Sequence, residues 1–383
     1  MDHQAFLNSL DTATPAPMWF VEFFKVLGFT LHAIPMNLWF AGLLIALMLM
    51  SFGGPQARQF GTRFMKQMPV IVAFGINLGV VPLLFMQLAY YKFFYPSTIL
   101  MAWAWFAIVV LLIPAYYGIY AYAWGLKSGT PLANWRQQAG WIGAALFIVI
   151  GFIFANEMTL LDRVDRWLGL WNNHQTAGAA LGTALNVGDP SLWPRWLMMF
   201  GLAQTTTAVW VLADLAFFHK KADDQYKAWA WGFAKRLYTH GLVWTVVFGS
   251  WYMFGTWSEE LRLSMFRWPL VPLTAVTAVA TGLPWLLIVT EKRCSAKLPL
   301  TIAIVLAQVG VMALNAVSRQ IVQNLSINAS VKAVTGGEYH ILDQTTATQF
   351  GPMAMFLVVF VLGLIVLGWM IRRVVLETAQ KAK

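Results

Sequence analysis

The sequence predicts an all-α, polytopic membrane protein with nine transmembrane helices, its N-terminus outside and its C-terminus in the cytoplasm. Three observations predict it. Only 11% of the 383 residues are charged and 59% are hydrophobic, whereas a soluble domain is about 25% charged. Apolar stretches long enough to cross a bilayer recur along the whole chain. The cationic residues gather on one side of the resulting pattern.

The spans are read at 19–50, 68–91, 99–125, 138–158, 193–218, 232–256, 268–290, 299–322 and 350–371, forming one integral membrane domain over 1–383. Two connections are long, 159–192 and 323–349, and nine spans put both on the outer side. The connections after spans one, three, five and seven, with the C-terminus and with Lys235 and Arg236 at the inner end of span six, hold 17 of the 26 Lys and Arg. Among them are Arg58, Arg63, Lys66, Lys220, Lys221, Lys292, Arg293, Lys297, Arg372 and Arg373. The opposite side holds 11 of the 16 Asp and Glu. Cationic loops stay in the cytoplasm, which sets the orientation. The net charge of +10 is thus read as topology, and nucleic-acid binding is excluded. Residues 1–17 are polar and slightly acidic, with no basic region ahead of an apolar run, so no cleavable signal peptide is expected.

Span one contains Glu22 near its outer end and His32 well inside. An imidazole at that depth is costly unless it is paired or ligates something. Axial haem ligation is one reading; a neutral ring bonded to a neighbouring carbonyl is the other. Span three, "ILMAWAWFAIVVLLIPAYYGIYAY", is rich in Trp and Tyr, which populate membrane interfaces. Span four ends at Glu157. The connection after it begins "LLDRVDRWLGLW", where Leu160, Leu161, Val164, Trp167, Leu168 and Leu170 share one face of an amphipathic helix suited to a membrane surface or a partner subunit. Asp214 stands near the inner end of span five. The single Cys294 allows neither an intrachain disulfide nor a CxxCH haem attachment. Span eight closes on "LNAVSRQIVQNL", read as a polar turn at its outer end. With so few intramembrane carboxylates, proton pumping and oxygen chemistry are disfavoured. No transporter-type repeat is visible. A transporter or channel remains a second class of reading, for which Pro35, Pro82, Pro114 and Pro284 could break helices.

The order of segments resembles subunit I of the cytochrome bd quinol oxidases. "FGINLGVVPLLFMQ" is similar to that family's "FALGVATGLTMEFQ", with Leu78, Gly79 and Val80 matching. "FIFANEM" is similar to "ILVANGWM". "DPSLWPRWLMMFGLAQTTTAVWVLADLAFF" resembles the family's fifth span, and "GVMALNAVSRQIVQNL" resembles "GWVAAEVGRQPWVVYGL", placing Ser318, Arg319 and Gln320 on its Gly-Arg-Gln. The departures fall on the haem ligands. Met198 stands where the family has its haem-ligating His, and Ala316 where it has a ligating Glu. Trp105 and Ile113 replace two further glutamates, and His32 lies two residues beyond the first-span His position, which is Thr30. The family's large quinol-binding loop shrinks to "GTWSEELRLSMFRW".

The resemblance therefore implies a respiratory membrane subunit of the bacterial cytoplasmic membrane that does not itself reduce oxygen. It implies haem b as cofactor and quinol as reductant, with His32, Met198 and Arg319 marking the haem or quinone region and His32 the iron ligand. It also implies partner subunits: a c-type cytochrome, an iron–sulfur subunit or a membrane partner like subunit II. The alternative is a cofactor-free anchor for such partners.

Overall fold

The computed structural model describes residues 13–128, 131–291 and 298–380; His3, Lys292, Arg293, Cys294 and Lys297 lie outside them. It is an almost wholly helical bundle. In chain order the helices are α1 (Met18–Phe52), α2 (Pro55–Ala89), α3 (Tyr91–Leu100), α4 (Ala102–Lys127), α5 (Asn134–Leu161), α6 (Trp167–Asn173), α7 (Leu192–Phe218), α8 (Asp224–Thr256), α9 (Glu259–Met265), α10 (Val271–Thr290), α11 (Leu298–Thr335) and α12 (Phe350–Gln380). The strands among the described residues are β1 (Gln175–Thr176) and β2 (Ala179–Ala180), joined by a tight turn through Ala177 and Gly178 at φ 48° and 78°.

Eight of the long helices are long and apolar enough to cross a membrane. The chain is an all-α, multi-pass membrane protein. The remaining long helix, α8, is more polar, with Asp224, Lys227, Lys235 and Arg236 in its first half. Local chemistry sets the helix starts. Pro55 opens α2 at a position whose N–H would have no partner anyway. The Asp223 carboxylate accepts from the Tyr226 N–H at 2.7 Å and caps α8. Ser258 caps α9, with Glu259 and Glu260 in its first turn.

α1 packs on α2, α4 on α5 and α7 on α8, while α11 runs against α1, α7 and α10. The α7–α8 crossing is closest at Gly201 and Gly241, where a Cβ on either would sit 2.8 Å from the other's carbonyl oxygen. α12 touches the bundle through Phe356 and Phe360, whose rings lie 4.8 Å and 5.3 Å from that of Phe24. Most other residues of α12 between Phe350 and Met370, and the Trp103–Phe106–Val110–Ile113–Tyr117 face of α4, are exposed apolar surface of the kind a helix turns toward lipid. The apolar core has two main parts. One surrounds Leu43, Leu47, Phe60, Phe64, Tyr226 and Trp231. The other surrounds Phe20, Phe24, Phe85, Phe93, Leu161 and Ile327, near the end where α1 starts.

Three sequence expectations are corrected. "LNAVSRQIVQNL" is no turn: α11 continues unbroken to Thr335, because its amides bond across to α1 and not to local backbone. This shortens the 323–349 connection to 336–349. The amphipathic helix expected from Leu160 is broken at Asp162 and Arg163, leaving a 3₁₀ turn at Val164–Arg166 and then α6. Its charged residues do not face water together. Asp162 pairs with Arg195 at 3.0 Å, and Arg163 and Arg166 both reach Asp189, at 3.1 Å and 3.2 Å. Span two also begins earlier than read, at Pro55 and not at residue 68.

Candidate functional site

A buried polar network ties the two ends of the chain together near the start of α1. Glu22, Lys25, Phe29 and His32 follow at helical spacing along one stripe of α1. On α11, Arg319, Gln320, Gln323 and Asn324 form the facing stripe. Glu22 Oε1 accepts from Asn324 Nδ2 at 2.7 Å, from Gln320 Nε2 at 3.0 Å and from the Tyr90 hydroxyl at 3.3 Å. Tyr90 also donates to Asn324 Oδ1 and accepts from Gln320. Lys25 is 6% exposed. Its ammonium lies 3.9 Å from the centre of the Tyr90 ring and donates to Gln323 Oε1 at 2.6 Å. Gln323 Nε2 donates onward to Asp162 Oδ1 at 3.0 Å, and Arg195 closes the chain on Asp162 Oδ2. Arg319 stacks on Phe29, 4.6 Å from its ring centre.

These contacts explain how an apolar chain tolerates so many polar groups in one place. A buried charge or amide is costly unless it is hydrogen-bonded, and here Glu22, Lys25 and Phe29 each meet an α11 group, while His32 meets the Gly75 carbonyl of α2. A second buried network lies deeper. Asn37 Nδ2 donates to Thr206 at 3.0 Å, Gln308 Nε2 to Thr205 at 3.1 Å, and the Tyr238 hydroxyl to Gln308 Oε1 at 2.9 Å. At the opposite end of the bundle Arg63 grips Asp214 with two hydrogen bonds of 2.9 Å and 3.0 Å. Glu157, wholly buried, sits 2.5 Å from Ser97 Oγ through one oxygen, and its other oxygen has no partner.

The sequence-predicted residues are only partly brought together. His32 Nδ1 lies 2.8 Å from the Gly75 carbonyl oxygen. A carbonyl only accepts, so Nδ1 carries the hydrogen and Nε2 presents its lone pair. The ring rests on Gly79, where a Cβ would come within 2.8 Å of it. His32 and Arg319 share the α1 stripe through Phe29, three residues before His32. Met198 is on α7, with its sulfur against Gly249 of α8, and no described contact joins it to His32. For a b-type haem, His32 fits one axial position, since ligating histidines hold their other ring N–H on such an acceptor. Among the described contacts it has no second ligand opposite it, and no three His, Cys, Asp or Glu side chains converge there or elsewhere among the described residues.

Sequence reasoning missed Lys25, Tyr90, Asp162, Arg195 and Gln323. The signal was present for Lys25: an ionisable residue inside an apolar run is a site candidate by default, and Glu22 stands three residues before it. Tyr90 and Gln323 carry no such mark.

Outside the membrane-crossing helices, burial raises the Asp162 carboxyl above its ordinary value against the pull of Arg195 and the Gln323 hydrogen bond. Asp165 goes the other way. Burial alone would raise it, but hydrogen bonds from Arg163 and Ser330 outweigh burial and hold it below the ordinary Asp value. A depressed carboxylate stabilises fully above its unfolded pKa, and that contribution is lost as pH falls through the folded value. The Asp165–Ser330 tie, 2.8 Å long, is therefore expected to hold the 162–173 segment on α11 at neutral pH and to release it only as pH falls past the ordinary Asp value and through the lower folded one. A nitroxide on Gly169→Cys, in a Cys294→Ser background, reports this as increased mobility in acid. Mobility that stays equal from pH 7 down to acid well below the ordinary Asp value would count against it.

Compared with known proteins, the chain matches no protein-family model and no curated protein.

Proposed function

We propose that this chain is a membrane subunit of a respiratory electron-transfer complex in a bacterial inner membrane, divergent from cytochrome bd subunit I and linked to quinol. In this reading all nine long helices cross the membrane, α8 included, with the N-terminus outside and the C-terminus inside. The buried network then lies near the outer face. The observation that carries the reading is the α1 stripe at His32. Its Nε2 offers an acceptor for a quinol hydroxyl or for haem iron, Phe29 offers an aromatic face, and Arg319 borders it with a donor fork. A bound haem b would supply a one-electron relay. This chain's part would be to orient the imidazole through Gly75 and to keep a Cβ away at Gly79. The oxygen-reducing ligand positions of the family, which fall on Ala316, Trp105 and Ile113, offer no ligating group, so oxygen reduction is not part of the proposal. Redox partners, a c-type cytochrome or an iron–sulfur subunit, would dock on the 162–191 and 336–349 connections. A membrane partner like subunit II would take an exposed apolar face.

A cofactor-free anchor is the second reading, favoured by the way Glu22 and Lys25 find their partners within the chain. The dithionite-reduced minus oxidised visible spectrum of the purified chain, with extracted haem quantified, separates the two. The expected result is a b-type band at near-stoichiometric haem, lost in His32→Ala while helix content is retained. A featureless spectrum from folded protein would replace the electron-carrying reading with the anchor.

A further inference from the structure

The network contains more cationic donors than the chain supplies acceptors for. Lys25 has three N–H donors, and Arg195 and Arg319 have five each. Among the described residues Lys25 donates to Gln323 and Arg195 to Asp162, while Arg319 has the Phe29 ring and no hydrogen-bond acceptor. Hydrogen bonds link Lys25 to Arg195 through Gln323 and Asp162, and Arg319 stands one α11 turn from Gln323. The counter-charges of the three cations are Asp162 and Glu22, which leaves the cluster one positive charge in excess. The cluster is not sealed. The Arg195 side chain is 16% exposed, and Arg319 is partly exposed.

Depth narrows the ligand. α1 has 35 residues and is about 52 Å long at 1.5 Å per residue. A hydrocarbon core of about 30 Å leaves about 11 Å of helix at each end. Lys25 is about 10 Å from the start of α1, at the level of the lipid headgroups. Phe29, under Arg319, is about 6 Å deeper. A multi-oxygen monoanion at that level satisfies both the donor surplus and the excess charge, and guanidinium forks match phosphate oxygens in pairs.

We propose that Arg319, backed by Lys25 and Arg195, binds the phosphodiester of an anionic lipid headgroup. The inference needs only that the chain sits in a bilayer and does not depend on the electron-transfer reading. Arg319 supplies the bidentate fork, Phe29 holds that fork flat, and Lys25 and Arg195 supply the remaining donors.

The test uses the full chain, purified in detergent and delipidated, and follows thermal unfolding during titration with phosphatidylglycerol, diacylglycerol or inorganic phosphate. Phosphatidylglycerol is expected to raise the melting temperature saturably, and diacylglycerol to have no such effect. Arg319→Gln is expected to weaken the apparent affinity about tenfold or more, and Arg319→Lys, which keeps the charge but loses the fork, by less. Should Arg319→Gln not fold, the Arg319→Lys titration and native mass spectra of lipid retained by the unaltered chain carry the test. Equal stabilisation by diacylglycerol, equal affinity in both Arg319 variants and the unaltered chain, or stabilisation by inorganic phosphate as strong as by the lipid would each overturn the proposal. The last would make it a site for free anions.

Discussion

Asp162→Ala is expected to destabilise the protein by about 3–5 kcal/mol, the usual cost of removing one partner from a buried ion pair. Asp162 is 4% exposed and is the acceptor on which Arg195 and Gln323 both end. Without it, Arg195 loses its carboxylate, Gln323 loses the acceptor that orients its amide, and the amide oxygen is no longer held for Lys25. Three cations would then stand with Glu22 alone to balance them. Asp162→Asn is expected to fare little better, because its amide nitrogen would face either the Arg195 guanidinium or the Gln323 amide nitrogen, both of which donate there. The pairing is separable from the volume. Asp162→Leu combined with Arg195→Met should recover most of the loss, since an apolar pair can replace a buried ion pair at little cost. A double-mutant cycle on Asp162 and Arg195, read by thermal unfolding in detergent, should return a coupling of about 1 kcal/mol or more. Additive single mutants would mean that the pair is not formed.

The second large effect is expected at the α7–α8 crossing. In Gly241→Val the new Cβ would lie 2.8 Å from the Gly201 carbonyl oxygen and 2.9 Å from Gln204 Cβ. The first of these is backbone and cannot move aside as the end of a flexible side chain can. The helices must separate, at a cost above the roughly 1–3 kcal/mol usual for overpacking. The effect should reach the site, because α7 carries Arg195 and Met198, and α8 carries Tyr252, whose ring lies 5.7 Å from the Arg195 guanidinium. Loss of phosphatidylglycerol stabilisation together with a lower melting temperature is the expected pair of results. Gly310→Ala is the control. A Cβ there meets nothing within 4 Å, so the substitution should stabilise by about 0.5–1 kcal/mol through helix preference alone. If Gly241→Val melted like the unaltered chain, the close crossing would be wrong.

How much of the site was legible follows from what each residue's signal depends on. His32 stood out because a lone imidazole inside an apolar run is conspicuous at any register. Arg319 and Gln320 stood out in the same way. Their role was misread, because a cluster of amides resembles a helix end when nothing shows what it faces. The stripe of Glu22, Lys25 and Phe29 on the other helix turns the same residues into a cross-helix ladder within an unbroken α11. Asp162, Arg163, Asp165 and Arg166 were misread for the opposite reason. Their spacing suits a solvated helix face, but each has a partner some two dozen residues or more away, in Asp189, Arg195 or Ser330.

The sequence by itself determined the class of this protein: an all-helical, multi-pass chain with each long helix located and at least one of its ends placed to within a few residues. Class and helix positions both depend on local quantities, the transfer of apolar segments into lipid and the satisfaction of backbone hydrogen bonds within each helix. Only the tertiary structure decided which polar residues meet. Glu22 with Asn324, Lys25 with Gln323 and Asp162 with Arg195 depend on how helices rotate and pass one another. That choice is made by close packing at positions such as Gly79 and Gly241 and by the cost of leaving any buried charge unpaired, neither of which is a property of a single segment.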